Sequence, residues 1–230
     1  MTTRSQDLDP AKSVGASTLP AVGDRASEGD VWVEVFARAT LPSRFGEFQI
    51  VVFRNSVDDK EHLAMVRGDV HDAEQLPMRI HSECLTGDVM GSLRCDCRDQ
   101  LEFALESFGK GERGVLLYMR QEGRGIGLGN KIRAYALQEQ GLDTVDANNH
   151  LGFDDDLRDY TVAALMTRLL GIRSVELYTN NPRKIFGLKK HGIEVHARRP
   201  IVMDANRHNR DYLSTKARRS GHIIPLEPLK

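Results

Sequence analysis

All three cysteines of the 230-residue chain lie within one short stretch, at Cys84, Cys95 and Cys97. Their C-x10-C-x-C spacing matches neither a zinc site built from two CxxC pairs nor a CxxC redox pair. Three thiolates can hold a catalytic zinc ion whose fourth position binds water, and zinc lowers the pKa of that water from 15.7 to about 7. The spacing therefore predicts a metal site used in hydrolysis. The alternative is that the three are small buried hydrophobic side chains.

A second candidate site is the segment RQEGRGIGLGN, which follows the apolar run GVLLYM and leads into a predicted helix. Glycines at 123, 125, 127 and 129 would let the backbone approach a ligand closely. A strand, a glycine-rich turn and a helix start together form a cradle for an anion. The segment matches neither G-x-x-x-x-G-K-[ST] nor G-x-G-x-x-G, and a flexible turn is the competing interpretation.

Two charged segments add to this picture. TNNPRK places Thr179 at a strand end and Arg183 and Lys184 in the first turn of a helix, where cations are electrostatically disfavoured. A bound phosphate would explain them, and a solvated surface pair is the alternative. In DDDLRDY the acids suit a helix start, but Arg158 among them is harder to explain without a function.

Composition excludes several classes of protein. Lys and Arg total 32 against 33 Asp and Glu, so the net charge of −1 provides no positive field for nucleic acid. No apolar run approaches the roughly 20 residues that cross a bilayer, and the N-terminal segment does not resemble a signal peptide. We therefore expect a cytoplasmic protein with reduced thiols and no membrane partner. The odd number of cysteines also argues against a disulfide framework.

The order of hydrophobic patterns predicts an α/β fold with a mixed sheet. The N-terminal portion, through EFQIVVF and HLAMVRGDV, has the short β-rich runs of a mainly antiparallel sheet. After Cys97, strands and helices alternate, which implies some parallel pairing. Residues 1–30 are predicted to be a disordered leader, 31–222 a single catalytic domain and 223–230 a C-terminal tail.

Helical periodicity predicts which residues face the core. In DQLEFALESFGK the residues Leu101, Ala104, Leu105 and Phe108 share one face. KIRAYALQEQG is predicted to be a helix with Ile132, Tyr135 and Ala136 on one face. RDYTVAALMTRLLG, NPRKIFGLKKHG and RDYLSTKARRSGH are further predicted helices.

Six segments together resemble the GTP cyclohydrolase II family, which catalyses the first committed step of riboflavin synthesis. They are RIHSECLTGDVMGSLRCDC, YMRQEGRGIGL, NKIRAYALQ, LGFDDDLRDY, TNNPRKI and NRDYLSTKARRSGH. The resemblance covers about residues 36–222, with the segments in order and at the expected separations. The dihydroxybutanone-phosphate synthase half that some relatives carry is not seen, so the resemblance implies the stand-alone form.

The resemblance implies a role for each matching residue. Cys84, Cys95 and Cys97 correspond to the three ligands of one zinc ion per subunit. Asp156 corresponds to the proton acceptor, Arg158 to the proposed nucleophile, and Tyr135 to a tyrosine linked to completing the ring chemistry. Residues that correspond to GTP contacts are Arg79, Ile80, His81, Ser82, Glu83, Gln100, Glu122, Gly123, Arg124, Thr144, Thr179 and Lys184. The family releases formate and pyrophosphate from GTP, with Mg²⁺ on the triphosphate, and typically forms homodimers.

Residue chemistry leaves some of these roles open. A carboxylate such as Glu122 would accept the N1–H and N2–H of guanine, which adenine does not offer. A guanidinium is a poor nucleophile because its pKa exceeds about 12, so Arg158 either attacks with help from Asp156 or stabilises charge on the phosphoryl group.

Three other functions stay possible at this stage. A related cyclohydrolase could feed a secondary-metabolite pathway or stop at the formylated intermediate. A zinc-binding nucleic-acid module and a redox-sensing thiol protein would use the same cysteines.

Overall fold

The computed structural model describes residues 18–224, which form one eight-stranded mixed sheet with helices on both faces. Its antiparallel half consists of β1 (Arg25–Glu28), β2 (Val31–Ser43), β3 (Gly46–Asn55) and β4 (His62–Arg67). The long β2–β3 hairpin turns tightly between Ser43 and Gly46. The predicted antiparallel N-terminal portion is confirmed.

The other half of the sheet contains β5 (Leu76–Ser82), β6 (Gly114–Met119), β7 (Ser174–Tyr178) and β8 (Glu194–Arg199). The strand order is β1-β2-β3-β4-β6-β5-β7-β8. β4 pairs with β6 in antiparallel fashion, whereas the β6–β5, β5–β7 and β7–β8 pairs are parallel. The predicted mixed sheet is therefore confirmed.

Within residues 18–224, seven helices and a short 3₁₀ turn connect or follow these strands. Helices α1 and α2 follow β5, the 3₁₀ turn and α3 follow β6, and α6 connects β7 to β8. Their bounds are α1 (Leu85–Asp88), α2 (Cys97–Lys110), the 3₁₀ turn (Glu122–Gly125), α3 (Gly127–Glu139), α4 (Thr144–His150), α5 (Thr161–Leu169), α6 (Pro182–Lys190) and α7 (Arg210–Arg218). None of the helices within residues 18–224 is long and apolar enough to span a membrane.

The central strands are buried on both faces. On β6, Val115 and Leu117 join the larger core with α5, whereas Leu116 joins a smaller cluster with Phe108 of α2. Such near-continuous apolar runs are typical of parallel strands covered on both sides. The predicted inner face of α2 is correct, since Ala104 and Phe108 are fully buried and Leu101 and Leu105 pack beside them. The sheet is thus a rigid base for the loops at its ends.

The structure differs from the sequence prediction at the chain ends. Residues 25–28 of the predicted disordered leader form β1, which pairs with β2, and Leu19 is buried. The polar composition concealed this strand, because β1 contributes backbone hydrogen bonds more than apolar side chains. At the other end, the Ile223 amide donates to the Asn180 carbonyl at 2.8 Å, one residue beyond the predicted boundary at 222. Residues 1–17 and 225–230 lie outside the described residues.

The predicted apolar face of α3 is also wrong. Ile132 is 46% exposed, and the residues that α3 buries are Lys131 and Ala134. The reason is that α3 packs against a cluster of polar and sulfur-bearing side chains, where a charged residue finds partners and an isoleucine would not. Periodicity alone assumes that the inner face is apolar.

Candidate active site

One cavity of about 1060 Å³, counting its open mouth, lies beyond the carboxyl ends of β5, β6 and β7. In open α/β sheets this edge is where ligands bind. The walls come from the segments after these strands, from α3 and α4, and from α7. The lining residues are Arg79, His81, Ser82, Glu83, Cys84, Cys95, Cys97, Gln100, Gln121, Glu122, Gly123, Arg124, Ile126, Lys131, Ala134, Tyr135, Gln138, Thr144, Asn148, Arg158, Thr179, Asn180, Asn181, Lys184, Tyr212, Lys216 and His222.

Three thiols converge at one end of the cavity. Cys84 follows β5, and Cys95 and Cys97 lie at the start of α2, so the short helix α1 and its loop fold the two groups together. The three Sγ atoms lie within 4.8 Å of one another, and those of Cys84 and Cys95 are 3.7 Å apart. Two thiolates on a tetrahedral zinc ion, each about 2.3 Å from it, are roughly 3.8 Å apart. The spacing of the sulfurs therefore fits zinc.

Gly87 closes the protein side of this thiol cluster. A Cβ atom at this position would lie 2.8 Å from the Cys95 sulfur and 3.1 Å from the Cys84 sulfur. Glycine is required here because any side chain would displace the thiols. The hydrogen bond to Cys95, with that to Cys97, lowers the pKa of Cys84, whereas the hydrogen bonds to Cys84 and Cys95, together with burial, raise the pKa of Cys97.

A lysine that sequence analysis did not identify lies beside the thiols. Nζ of Lys131 donates to the Cys84 sulfur at 3.1 Å, to Oγ1 of Thr86 at 3.0 Å and to Oε1 of Glu122 at 2.8 Å. Burial opposes its charge, but the Cys84 sulfur and Glu122 together raise the pKa of Lys131. The signal that could have revealed it is helical spacing, because Lys131 precedes the predicted site residue Tyr135 by one turn of α3.

Glu122 is held by the protein on both oxygens. Besides Lys131, Oε1 accepts from the Gly123 amide at 2.8 Å, and Oε2 accepts from the Leu85 amide at 2.7 Å. A carboxylate has about four acceptor positions. Oε1 is therefore saturated, and one position on Oε2 is free. A guanine edge that donates N1–H and N2–H together needs two.

Asp88 organises a second group of contacts around the segment that begins at Cys84. Its carboxylate accepts from the Cys84 amide at 3.0 Å and from the Tyr118 hydroxyl at 2.9 Å, and it lies 3.0 Å from Nε2 of His81. Burial lowers the pKa of His81, and Nδ1 of this ring has no partner among the described residues. With Nε2 bonded to Asp88, the histidine is held in one orientation at the cavity wall.

A chain of hydrogen bonds connects β5 to the last helix. Nη2 of Arg79 donates to Gln100, Gln100 donates to Asp96, and Asp96 accepts from Nζ of Lys216 at 3.0 Å. Asp96 lies between two of the cysteines, so this chain fixes the thiol loop from the side of α7. Burial lowers the pKa of Arg79 to about 10. Sequence analysis missed Lys216, Tyr212 and His222, because only the folded chain brings α7 to the cavity.

Another part of the cavity wall is rich in cations. Lys184, in the first turn of α6, is buried, and its Nζ donates to the Ile80 carbonyl at 2.6 Å. Burial and the nearby charges of Arg158 and Arg79 lower the pKa of Lys184 well below its usual value. Thr179 directly follows β7, and its hydroxyl accepts from the Asn181 amide at 3.0 Å.

Arg158 and Asp156 form a buried pair in the same region. Nε donates to Oδ1 at 2.7 Å and Nη2 to Oδ2 at 2.6 Å. Burial opposes the charge on Arg158, but the two hydrogen bonds to Asp156 dominate and raise its pKa. The acids of this segment were expected at a helix start, but α5 begins only at Thr161, so Asp156 serves Arg158 instead.

The glycine-rich segment forms a strained turn rather than an extended cradle. Gly123 and Arg124 both have a φ near +60°, which is uncommon for a residue with a side chain. Arg124 is held there by Asp155 and by Oγ of Ser220 at 3.1 Å. Of the four glycines only Gly123 lines the cavity. The anion cradle stays a prediction, and Gly123 is the one of the four glycines placed to contribute to it.

Nearly all of the predicted residues meet in this cavity. Ile80 is the exception among the predicted GTP contacts, since its side chain is in the core and its carbonyl accepts from Lys184. Asp156 does not line the cavity and acts through Arg158. Five buried polar atoms of lining residues have no partner within residues 18–224, namely Nε of Arg79, Nδ1 of His81, Oε1 of Gln121, Nη2 of Arg124 and Nδ2 of Asn181. Buried polar atoms are normally hydrogen-bonded, so these atoms are candidates for contacts with a bound molecule.

A sequence model of the GTP cyclohydrolase II family matches residues 34–200. This chain belongs to the GTP cyclohydrolase II family. The match includes all three cysteines and every predicted site residue, but it ends before α7, which supplies Lys216.

Curated proteins that are similar to this chain include riboflavin biosynthesis proteins. The RibBA protein of Bacillus mycoides (strain KBAB4) is 55% identical over 187 residues, which are 81% of this chain and 47% of that protein. RibBA of Bacillus cereus (strain ATCC 14579) is 54% identical over 190 residues, 83% of this chain and 48% of that one. The chain thus spans about half the length of these relatives, and the stand-alone form stays a prediction.

Solved structures similar to this chain include a crystal structure of RibBX, a two-domain 3,4-dihydroxy-2-butanone 4-phosphate synthase from A. baumannii. It is 18% identical with a TM-score of 0.43, covering 75% of this chain and 40% of that chain. This similarity is too low to support a conclusion.

Proposed function

We propose that this chain hydrolyses GTP at C8 of the guanine ring, releasing formate and pyrophosphate and leaving 2,5-diamino-6-ribosylamino-4(3H)-pyrimidinone 5′-phosphate. Membership of the family supports this proposal. The observation that carries it is that one cavity combines a thiol cluster with Lys184, a buried lysine that has no carboxylate within 4 Å among the described residues. A purine triphosphate requires this pairing, with hydrolytic chemistry at the base and positive charge at the phosphates.

Cys84, Cys95 and Cys97 would hold one zinc ion per subunit. When bound, zinc would supply hydroxide at neutral pH for the opening of the imidazole ring. The fit rests on the spacing of the sulfurs and on Gly87 behind them. The Asp88 carboxylate would keep the Cys84 backbone in place, because it accepts from that amide.

Base recognition would involve both the glycine-rich turn and the end of β5. The free position on Oε2 of Glu122 can accept one guanine N–H, so a second acceptor is needed for the other. Nδ1 of His81 is unpaired at the same wall, and with Nε2 bonded to Asp88 it is available for a hydrogen bond with the substrate. Tyr135, whose pKa burial raises, keeps its hydroxyl proton at neutral pH and can donate it.

At the phosphate end, Thr179 and Lys184 would bind the triphosphate with its Mg²⁺. Arg158 would stabilise negative charge on the α-phosphoryl group as pyrophosphate leaves. Its two hydrogen bonds to Asp156 favour this role over nucleophilic attack, because they stabilise the protonated guanidinium. Recovery of a guanylylated peptide containing Arg158 from a quenched reaction would instead establish attack.

The product would enter riboflavin biosynthesis, the process that the relatives' names state. The second candidate within the family is a cyclohydrolase that feeds another pathway or stops at the formylated intermediate. Tyr135 matches the residue linked to the complete reaction and lines the cavity, which favours the first. We also propose a homodimer, for which the exposed apolar side of α3, with Leu128 and Ile132, is a suitable surface. Light scattering would test the dimer.

The deciding experiment is incubation with GTP and Mg²⁺, before and after removal of zinc with a chelator. Formate and pyrophosphate are both measured per GTP consumed. Equal amounts that disappear with the metal and return with added zinc are expected. Pyrophosphate without formate would support the truncated reaction, and no turnover by the zinc-loaded chain would contradict the proposal.

A further inference from the structure

Lys131 has a set of contacts that the proposed reaction does not use. It is 9% exposed, and its three ammonium protons have three acceptors on three different segments. These acceptors are the Cys84 sulfur after β5, the Thr86 hydroxyl of α1 and the Glu122 carboxylate after β6. An ammonium group has only three donors, so Lys131 has none to offer a substrate.

Glu122 extends these contacts back to the thiol loop. Its second oxygen accepts from the amide of Leu85, the residue that follows Cys84, at 2.7 Å. A closed hydrogen-bond network therefore connects the Cys84 sulfur to Lys131, Lys131 to Glu122, and Glu122 to the backbone beside Cys84. This network joins the loop after β5 to the turn after β6.

Gly123 allows this close packing. Its backbone has a φ of +63°, and a Cβ atom there would lie 3.2 Å from Cβ of Lys131 and 3.0 Å from Cγ1 of Ile126. The turn can therefore lie directly against the lysine stem only when it has no side chain. Glycine at this position serves the packing of Lys131 as well as the cavity wall.

We infer that Lys131 is a positioning residue that fixes the sulfur of Cys84 relative to the Glu122 turn, and so sets the metal site against the base end of the cavity. The inference rests on the proposed zinc site. A donor that orients a metal ligand typically contributes about 10- to 100-fold to metal affinity. Glu122 belongs to the same unit, since it aligns Lys131 and anchors Leu85.

The test measures how fast zinc leaves the protein, using a colorimetric chelator in excess over the zinc-loaded chain. Lys131→Met should release zinc at least about 10-fold faster than the wild-type chain. The control is Arg133→Met on the same helix, whose exposed side chain bonds only to Asn130 among the described residues. It should change the rate by no more than about twofold.

Two further variants keep the result interpretable. Lys131→Met leaves the Glu122 charge buried and unpaired, so the double variant with Glu122→Gln removes both charges and preserves folding. If the two residues act as a unit, the double variant releases zinc no faster than Lys131→Met alone. Wild-type release rates in Lys131→Met or in the double variant would overturn the inference. It would also be overturned if the rate increase in the double variant equalled the product of the increases in Lys131→Met alone and Glu122→Gln alone. A chain that holds zinc but leaves GTP intact would refute the proposed function only.

Discussion

Lys131 and Lys184 line the same cavity and are almost equally buried, at 9% and 7% exposed, yet their surroundings are opposite. Lys131 contacts two groups that carry negative charge, the Cys84 sulfur and Glu122, and its pKa is raised although burial opposes its charge. Lys184 donates to the Ile80 carbonyl, and burial with the neighbouring Arg158 lowers its pKa.

The difference distinguishes a cation used by the protein from one available to a ligand. An isolated buried charge is costly unless it is paired. Lys131 meets that condition within the folded chain, so removing it breaks an existing arrangement. Lys184 has no carboxylate partner within 4 Å among the described residues, and we expect an anionic ligand to supply one. The thiol end of the cavity is thus complete in itself, and the cationic end would be completed by the proposed substrate.

The largest effect on activity should come from a substitution that removes the function of the thiol end and leaves the cationic end intact. Cys95→Ser removes one of the three sulfurs, and formate production should fall by about 10³-fold or more because hydroxide is no longer supplied at neutral pH. Bound zinc, measured by mass spectrometry of metals, should be lost. Calorimetry should still detect pyrophosphate binding at the cationic end, and simultaneous loss of both would show that the ends are not independent.

The second prediction concerns the stability of the thiol end. Lys131→Met should lower the free energy of unfolding by about 3–5 kcal/mol, because it leaves the buried Glu122 carboxylate without its cation. Urea unfolding of the zinc-free chain measures this. The double variant Lys131→Met with Glu122→Gln should recover a large part of the loss. An unchanged midpoint in the single variant would mean that the pair is not buried in solution.

Lys184→Met should give the opposite combination. Affinity for pyrophosphate should fall by about 10- to 100-fold, since a hydrogen bond to a charged group contributes about 1.5–3 kcal/mol. The melting temperature should stay the same or rise, because the variant removes a buried cation without an anionic partner. Calorimetry and thermal unfolding measure the two effects. Lys190→Met, exposed at the end of the same helix, is the matched control and should change neither.

The depressed pKa of Lys184 also predicts a dependence of stability on pH. Between that pKa and the ordinary lysine value of about 10.4, the unfolded chain binds more protons than the folded one. The free energy of unfolding therefore rises with pH through this window, by at most about 1.4 kcal/mol per pH unit, and this contribution is lost as the pH falls through the folded value. Other groups titrate here as well, so the test compares wild type with Lys184→Met. Identical slopes would contradict the assignment.

The smallest effect tests one contact of Lys131. Thr86→Ala removes the hydroxyl 3.0 Å from Nζ and should cost about 1 kcal/mol of stability, the usual contribution of a hydrogen bond. Thr40→Ala, at an exposed position of β2, should cost no more than about 0.5 kcal/mol. Urea unfolding of both variants measures the difference. Equal effects would mean that Thr86 adds nothing to the anchoring of Lys131.

The sequence was informative wherever residue type and spacing alone determine the chemistry. The clustering of Cys84, Cys95 and Cys97 predicted a metal site, and their sulfurs lie within 4.8 Å of one another. The alternation after Cys97 predicted parallel strands, because crossover helices place successive strands side by side. Local periodicity also predicted the inner face of α2 correctly.

The sequence was not informative where the partner of a residue lies far away in the chain. Lys131 and Lys216 would be expected at the surface from their type alone, and both are buried because Glu122 and Asp96 meet them in the folded chain. Ile132 was expected to be buried because isoleucine is apolar, and it is exposed because the inner face of α3 meets polar side chains. No local pattern reveals that the inner face of a helix will meet thiols and a carboxylate.

The contact between Lys216 and Asp96 joins residues 120 positions apart, across most of the α/β half. A ribosome that has extruded the chain only as far as β8 has already produced every cysteine and every strand found within residues 18–224. The thiol loop at that moment has no lysine beside Asp96, and the cavity has no wall on the side of Tyr212 and His222. A metal ion captured during translation would therefore be held by a segment that lacks the Lys216 contact until α7 emerges.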